Sequence, residues 1–572
     1  MNNVVVTLII IGGGAVEIQG IRSYYELISE GERKEADHES VSHEGEGALY
    51  RSSFDAGGYS FEIEDLIEDR SDVPGIRISR KIHGTPLDVK REYPDGIMFA
   101  LSLPMDTTPD CKWRFCSPTI DLTKPRKMIY KKRMYNQNEE AIGNIFGAYN
   151  CDTKTMYSIY RCTDTARKIV KEYTLRQQQR HEEDMAALGY EVTGRDQLEL
   201  IISWPMTTEF YLLDGSEINV GVEYTTIRDQ APTFADGVYA AYKNLLKEVI
   251  NLTRGPLRQE RLEHLEQTKK RLKENHTHLE GGCESFYGRS DVIGYGLNER
   301  NLRIALFMAI NCGGEWMDTA ERMVEFYVNH CTASSGFAWT KFDLRTMEPV
   351  SDFDGNYVLP MTQALYDVFM AYKDFRRRGI NKPAWLESTR KFADFLVRVQ
   401  NSDGSWYHAY DMDGNEADAP NLDKVRPQIK DASRKTGAEV PLCFLSRLVM
   451  YLESIGLNAD DYRKSALECA EYVLKNIIRF EMYLGGDPEY PSAPDKDAAR
   501  YTLMGLYNVY KMSGDRKYLD GAVTAAKLFV VWNNRDYPCD CIELYKLGME
   551  IKEEIFIVST YYAYMDFDIE DL

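Results

Sequence analysis

The spacing of hydrophobic residues along the chain changes near residue 228. Before this point, short runs rich in Val, Ile, Tyr and Thr alternate with Gly, Pro, Asp and Asn, as in residues 4–11, 75–81, 96–103 and 198–204. Such runs predict β-strands, and many short strands separated by turns predict an antiparallel β-sandwich. We expect this domain to cover residues 1–227, with one charged helix at 163–188.

From residue 228 nearly to the C-terminus, apolar positions recur at helical spacing. Four segments share a pattern in which an aromatic residue is followed four positions later by a small residue and ten positions later by a large apolar one. The aromatic residues are Trp316, Trp385, Tyr462 and Tyr518. The small residues are Ala320, Thr389, Ala466 and Ala522, and the large ones are Phe326, Phe395, Tyr472 and Leu528.

A short turn containing glycine precedes each of these segments, and another predicted helix precedes each turn, at 301–311, 359–378, 440–454 and 498–513. Short turns join antiparallel helices, and repeated hairpins bury their apolar faces by stacking on one another. With the less regular stretches 234–274 and 544–565, about six hairpins result. We therefore expect an α+β multidomain chain in which residues 228–572 form an (α/α)6 toroid.

The short turns at one end of such a ring leave three longer connections at the other end, at 332–358, 401–439 and 480–497. Each connection combines acidic, aromatic and glycine residues. Aromatic faces pack on sugar rings, and a pair of carboxylates can supply the acid and base of glycosidic cleavage. The alternative is that Asp and Gly form turns while the aromatic rings cover the core. The pattern of all three connections favours a carbohydrate site at this end.

Charge and composition narrow the range of binding partners and cellular locations that we expect for this protein. Ninety acidic residues against 69 basic ones give a formal net charge of −21, which disfavours nucleic acid and anionic membranes. No stretch has the length of a membrane-spanning helix, and the apolar opening lacks the basic residues of a secretory signal. We expect a cytoplasmic protein; the alternative is a secreted or periplasmic protein whose leader is missing. The 11 irregularly spaced cysteines indicate reduced thiols.

Two local motifs suggest metal ions, and for both a simpler interpretation is preferred. Residues 411–415 have the spacing of a calcium loop at their start but lack the rest of it, which favours a turn. His276, His278 and Glu280 could hold a metal, although the surrounding charge favours a solvated helix end. We expect neither a metal nor a cofactor.

Several motifs of the second half resemble known toroidal proteins. Residues 400–406, Gln-Asn-Ser-Asp-Gly-Ser-Trp, resemble the Gln-Trp motif of terpene cyclases, although a structural role in tightening a turn between hairpins is favoured. Residues 289–301 with Gly294-Tyr295-Gly296, the stretch Gly485-Gly486-Asp487 with 491–499, and Trp532 with 536–538 together resemble bacterial six-hairpin glycosidase-like proteins. That resemblance implies a β-sandwich joined to an (α/α)6 toroid, a fold that carries hydrolases, polysaccharide lyases and epimerases.

The leading functional hypothesis is a glycoside hydrolase that acts on an oligosaccharide or glycan. Its candidate catalytic carboxylates are Asp354, Asp403, Glu439 and Asp487. Its candidate substrate-binding residues are Arg289, which could recognise an acidic sugar, and Trp339, Trp406, His408, Tyr410 and Tyr490.

A polysaccharide lyase acting on a uronate is the first alternative, with His408, Tyr410, Tyr287 and Arg289 as its candidate residues. A glycan-binding protein without catalysis is the second. The sequence sets no oligomeric state.

Overall fold

The structure is a computed structural model of the 572-residue chain. It describes residues 5–10, 14–19, 22–27, 33–36, 40–44, 47–70, 75–88, 96–104, 113–116, 129–130, 133–135, 145–161, 188–192, 198–204, 211–213, 215–252, 257–288, 290–297, 299–351, 353–418, 435, 439–481, 483 and 496–532. The described residues form two compact units, one of residues 5–252 with 531–532 and the other of residues 257–530. The predicted helix at 163–188 and the predicted last hairpin at 544–565 fall outside the described residues, except that Leu188 begins a strand.

Antiparallel strands make up most of the first unit. They are β1 (Val5–Ile10), β2 (Gly14–Gln19), β3 (Arg22–Leu27), β4 (Arg33–Ala36), β5 (Ser40–Glu44), β6 (Gly47–Ala56), β7 (Tyr59–Arg70), β8 (Gly75–Pro86), β9 (Gly96–Pro104), β10 (Trp113–Cys116), β11 (Ile129–Tyr130), β12 (Arg133–Tyr135), β13 (Ile145–Asn150), β14 (Thr155–Arg161), β15 (Leu188–Val192), β16 (Leu198–Trp204), β17 (Tyr211–Leu212) and β18 (Ile218–Gln230). One sheet has the order β10-β13-β14-β18-β8-β7-β6-β5. A second has the order β11-β12-β15-β16-β9-β3-β4, with β17 beside β9.

Aromatic rings join these two sheets. The ring of Tyr25 on β3 stacks on Phe54 of β6 with centroids 4.1 Å apart, and Phe61 of β7 meets the edge of Phe99 on β9 at 5.2 Å. Alternate residues of β8 are buried, as expected when one face of a sheet covers a core. The predicted strands and their antiparallel pairing are therefore confirmed, and the complete sandwich stays a prediction.

Helices begin at Phe234. They are α1 (Phe234–Leu252), α2 (Leu257–Asn275), α3 (Asn301–Cys312), α4 (Glu315–His330), α5 (Val358–Arg377), α6 (Pro383–Val399), α7 (Glu439–Ser454), α8 (Asp460–Asn476), α9 (Lys496–Ser513) and α10 (Arg516–Trp532). Short strands lie between them: β19 (Thr277–His278), β20 (Glu284–Ser285), β21 (Val292–Gly294), β22 (Lys341–Asp343), β23 (Glu348–Val350), β24 (Asn356–Tyr357) and β25 (Ala409–Tyr410).

The first helix belongs to the first unit, where the ring of Phe234 meets Tyr149 of β13 at 6.0 Å. The stretch 234–274, predicted as a hairpin, contains two helices, α1 and α2, that belong to different units. The units divide after Arg254, whereas the predicted boundary follows residue 227. The assignment of residues 228–572 as a catalytic domain stays a prediction.

Glycine turns join the helices of each hairpin in the second unit. Gly313, Gly379, Gly456 and Gly514 have φ of +61°, +84°, +74° and +73°. This left-handed conformation ends a helix at little cost only for glycine, which has no Cβ. The predicted short turns, and with them the hairpins α3–α4, α5–α6, α7–α8 and α9–α10, are confirmed.

Burial separates inner helices from outer ones. Every residue of α5 from Val358 to Tyr372 is buried, whereas the neighbouring α6 buries only one face. The small repeat residues on the outer helices lie at those buried faces: Ala320, Thr389, Ala466 and Ala522 are each 0 % exposed. The alternation of inner and outer helices agrees with a toroid, and closure into six hairpins stays a prediction. Among the described residues, we find no helix with the length and apolarity that a bilayer crossing requires.

Candidate functional site

Two of the three long connections meet directly. Strand β24 of the first connection pairs with β25 of the second, with Asn356 opposite Tyr410 and Tyr357 opposite Ala409. The backbone N–H of Val358 donates to His408 O at 2.9 Å. Because β24 leads straight into α5, this pairing lies at the N-terminal end of an inner helix. The prediction that these connections share one end of the helical unit is therefore confirmed for 332–358 and for residues 401–418 of the second connection.

An exposed carboxylate stands beside half-buried aromatic rings at this end. Asp354 is exposed, and its neighbour Phe353 lies 4.9 Å from Tyr357, ring to ring. Both rings pack against Ala417 and Ala409 of the second connection. We call Phe353, Asp354 and Tyr357 the mouth cluster.

Glycine holds the backbone of the mouth cluster in a tight turn. Gly355 N–H donates to Phe353 O at 2.7 Å, and Gly355 has φ of +148°. A Cβ at Gly355 would lie 2.6 Å from Ala417 Cβ and 2.8 Å from Tyr410 O. This close approach of the two connections fixes the direction of the chain around Asp354.

Packed side chains join the inner helices near these N-terminal ends. Leu359 of α5, Val440 and Cys443 of α7, and Tyr501 and Met504 of α9 form one buried apolar cluster, against which Leu297 packs. These helices are therefore held together close to where the connections enter them.

Gln363 on α5 adds polar links to this cluster. Its Oε1 accepts from Leu297 N at 2.7 Å, and its Nε2 donates to Tyr501 Oη at 2.9 Å. Leu297 has φ of +55°, a strained conformation for a side chain of this kind. The bond from Gln363 helps to hold that conformation, and it ties the segment before α3 to two inner helices.

Sequence reasoning missed a buried charge cluster between α3 and α5. Asp367 is fully buried, and its carboxylate accepts from Arg300 Nη2 at 2.6 Å and from Arg300 Nε at 3.2 Å. Arg303 Nε lies 3.0 Å from the same carboxylate. One signal was available, because Asp367 is a lone charge in an otherwise apolar stretch of an inner helix. Such a residue needs a buried partner.

Asp403 belongs to a turn. Its Oδ1 accepts from Ser405 N at 3.1 Å and from Ser405 Oγ, while Oδ2 accepts from Lys435 Nζ at 2.8 Å. Burial alone would raise the pKa of Asp403, but the bonds from Lys435 and Ser405 outweigh it and hold that pKa below its ordinary value. Both oxygens of Asp403 are thus engaged in shaping the loop, and its catalytic role stays a prediction.

The same turn explains the motif that resembles Gln-Trp. Gln400 Nε2 donates to Gly404 O and to Ser465 O of α8, both at 3.0 Å, and Trp406 Nε1 donates to Leu396 O at 2.9 Å. Gly404 has φ of +88°, and a Cβ there would lie 2.3 Å from Glu468 O. The structural interpretation of 400–406 as a tight turn between hairpins is confirmed.

Three of the predicted substrate-binding residues are buried. Trp406 is 0 % exposed, and His408 and Tyr410 are each 1 % exposed. Tyr410 Oη donates to Val399 O at 3.2 Å, and burial raises the pKa of its hydroxyl. A buried ring offers no face to a sugar, and the raised pKa keeps the Tyr410 hydroxyl protonated near neutral pH. All three side chains pack within the described part of the chain, and their substrate-binding roles stay predictions.

The remaining predicted site residues divide into two groups. Trp339 is half-buried in the first connection, Tyr287 is 47 % exposed, and Glu439 is the first residue of α7. Arg289, Asp487 and Tyr490 lie outside the described residues.

In the calcium-like loop, Asp411 Oδ1 accepts from the N–H groups of Asp413 and Asn415 at 3.0 and 2.8 Å, which confirms the predicted turn.

Comparison with known proteins gives structural neighbours only. No protein family profile and no curated protein matches the sequence. Cellobiose 2-epimerase from Spirochaeta thermophila has a TM-score of 0.34 and 14% identity over 46% of this chain and 66% of its own. Unsaturated glucuronyl hydrolase from Bacillus sp. GL1 has a TM-score of 0.29 and 17% identity over 41% of this chain and 61% of its own. A polysaccharide lyase has a TM-score of 0.28 and 11% identity over 90% and 76%.

The chain spans 66% and 61% of the length of two cellobiose 2-epimerases. The neighbours act on carbohydrates in different ways, as hydrolases, an epimerase, an isomerase and a lyase. At these TM-scores the likeness carries no argument about family.

Proposed function

We propose that this chain is a carbohydrate-active enzyme, and specifically a glycoside hydrolase whose site includes the mouth cluster. The observation that carries the proposal is the pairing of β24 with β25, which joins two connections beside an exposed carboxylate and two half-buried rings. Aromatic rings near an exposed carboxylate suit a sugar, whose C–H faces pack on the rings while its hydroxyls donate to the acid.

Asp354 and Glu439 are the proposed catalytic pair. Asp354 lies four residues before α5, and Glu439 is the first residue of α7. Leu359 and Val440, in the first turns of these two helices, belong to the same buried apolar cluster. The backbone thus places both acids at the same end of neighbouring inner helices. In such a pair, one carboxylic acid protonates the leaving oxygen while the other carboxylate either activates water or attacks the sugar.

Amide substitutions test the assignment. Asp354→Asn and Glu439→Gln are each expected to lower kcat on a responsive oligosaccharide by about 10²–10⁴-fold, the usual contribution of a positioned acid or base. Asp413→Asn is the matched control, because Asp413 is exposed in the adjoining connection and is not among the proposed catalytic acids. Full turnover by both Asp354→Asn and Glu439→Gln would remove the proposed mechanism.

Product analysis after incubation with a panel of glycans distinguishes hydrolysis from the other activities. A lyase leaves an unsaturated product that absorbs in the ultraviolet, whereas a hydrolase releases a reducing end without that absorbance. A protein that only binds would release heat with an oligosaccharide in calorimetry and yield no product. Either result would replace hydrolysis while leaving the mouth cluster as the binding site to be tested.

A further inference from the structure

Two histidines at the end of α2 converge on one buried glutamate. His276 follows α2 directly, and His278 lies in β19, which pairs with β20 so that His278 stands opposite Glu284. His276 Nε2 lies 2.8 Å from Glu284 Oε2, and His278 Nδ1 lies 3.4 Å from the same oxygen. The predicted metal set used Glu280. The structure instead brings both histidines to Glu284.

Surrounding groups hold these side chains in place. The ring of His276 lies 4.9 Å from Phe286 and 5.1 Å from Trp316, and its side chain is only 10 % exposed. This contradicts a merely solvated helix end. The other carboxylate oxygen, Glu284 Oε1, accepts from Arg322 Nε of α4 at 2.6 Å, which turns Oε2 toward the histidines.

The distances approach those of a zinc site. One donor atom from each of His276, His278 and Glu284 lies within 4.8 Å of the others. Zinc binds histidine nitrogen at about 2.0–2.1 Å and carboxylate oxygen at about 2.0–2.2 Å, so tetrahedral ligand atoms stand roughly 3.4 Å apart. The separation of 2.8 Å between His276 Nε2 and Glu284 Oε2 would have to widen slightly to admit zinc. His278 can adjust because it is 70 % exposed.

We propose that His276, His278 and Glu284 bind a zinc ion, with a fourth position open to water. Two imidazoles and one carboxylate are a donor set that suits zinc. Arg322 acts as a positioning residue, because it fixes the carboxylate from outside the coordination sphere. The ion would join the end of α2 to the β19–β20 hairpin and, through Arg322, to α4. This proposal does not depend on the proposed hydrolysis.

Cobalt and zinc titrations of the full chain test the site. The protein is freed of metal with a chelator, and Co²⁺ is then added while visible absorption is recorded. We expect one equivalent to bind without a sulfur-to-cobalt charge-transfer band and to be displaced by Zn²⁺. His278→Ala should weaken Zn²⁺ binding in calorimetry by more than about 100-fold, since loss of an outer partner alone costs about 10–100-fold.

Controls separate this site from other ligands. His278 is exposed, so His278→Ala should leave the circular dichroism spectrum of the metal-free protein unchanged, and Glu284→Gln supplies a second variant of nearly the same shape. His83→Ala is the matched control, since His83 contacts Asn219 Oδ1 in the strands of the first unit. The proposal is overturned by an absence of saturable binding, by a sulfur charge-transfer band on the bound cobalt, or by equal affinities in His278→Ala and His83→Ala.

Discussion

The buried charge cluster on α5 gives the largest expected change in stability. Asp367→Asn removes the negative charge that the guanidinium groups of Arg300 and Arg303 both contact, at 2.6 and 3.0 Å. All three side chains are at least nine-tenths buried, so water cannot solvate the two guanidinium groups once the negative charge of Asp367 is lost. Removing one partner of a buried ion pair costs about 3–5 kcal/mol. We expect the free energy of unfolding to fall by that amount.

Urea unfolding followed by tryptophan fluorescence measures the effect, because five of the seven tryptophans lie beyond residue 300. Asp374→Asn is the matched control on the same helix. Its partners Arg377 and Arg378 are 53 % and 35 % exposed, so its loss should cost at most about 1 kcal/mol. A triple replacement, Arg300→Met with Arg303→Met and Asp367→Leu, should recover most of the loss. Equal effects of Asp367→Asn and Asp374→Asn would refute the reasoning.

Two further predictions concern the connections. Gly404→Ala should destabilise the protein by clearly more than Gly456→Ala, because both glycines have positive φ but only at Gly404 would a Cβ collide with backbone, at 2.3 Å from Glu468 O. Thermal unfolding compares them, and equal melting temperatures would contradict the steric argument. Bonds from Arg345 lower the pKa of Asp343 to about 2, below its ordinary value of about 3.9. The resulting stability is present above about pH 4 and is lost as the pH falls toward 2. Arg345→Met should flatten this part of the acid-unfolding curve, and an unchanged curve would count against the ion pair.

Local chemistry was sufficient to predict the helical hairpins. The predicted helix at 440–454 and the observed α7 differ by one residue at the start, and the strand predicted at 198–204 is β16 itself. Periodicity reports which side of an element is buried, and glycine marks where a helix ends in a left-handed turn. Both signals lie within a few residues of the feature that they predict.

The candidate site was predicted less well. Trp406 and Tyr410 stand beside Asp and Gly in the sequence, as residues of a sugar-binding loop would, yet the structure buries both rings. Loop composition does not state which way a side chain points. That direction depends on close contacts between distant segments, such as Gly404 against Glu468. The lengths of the connections predicted which end of the helical unit carries the mouth cluster. They did not predict which side chains at that end are accessible.

By itself, the sequence determined where the strands give way to helices, where each helix turns back, and which connections are long, because these depend on local propensity and period. Only the tertiary structure decided which residues and strands contact each other across the sequence. It brought Asp367 to Arg300 and Arg303, joined β24 to β25, and brought His276 and His278 to Glu284. An inner helix is buried all round, so its periodicity does not distinguish one neighbour from another. The choice follows from how complete helices and connections pack together.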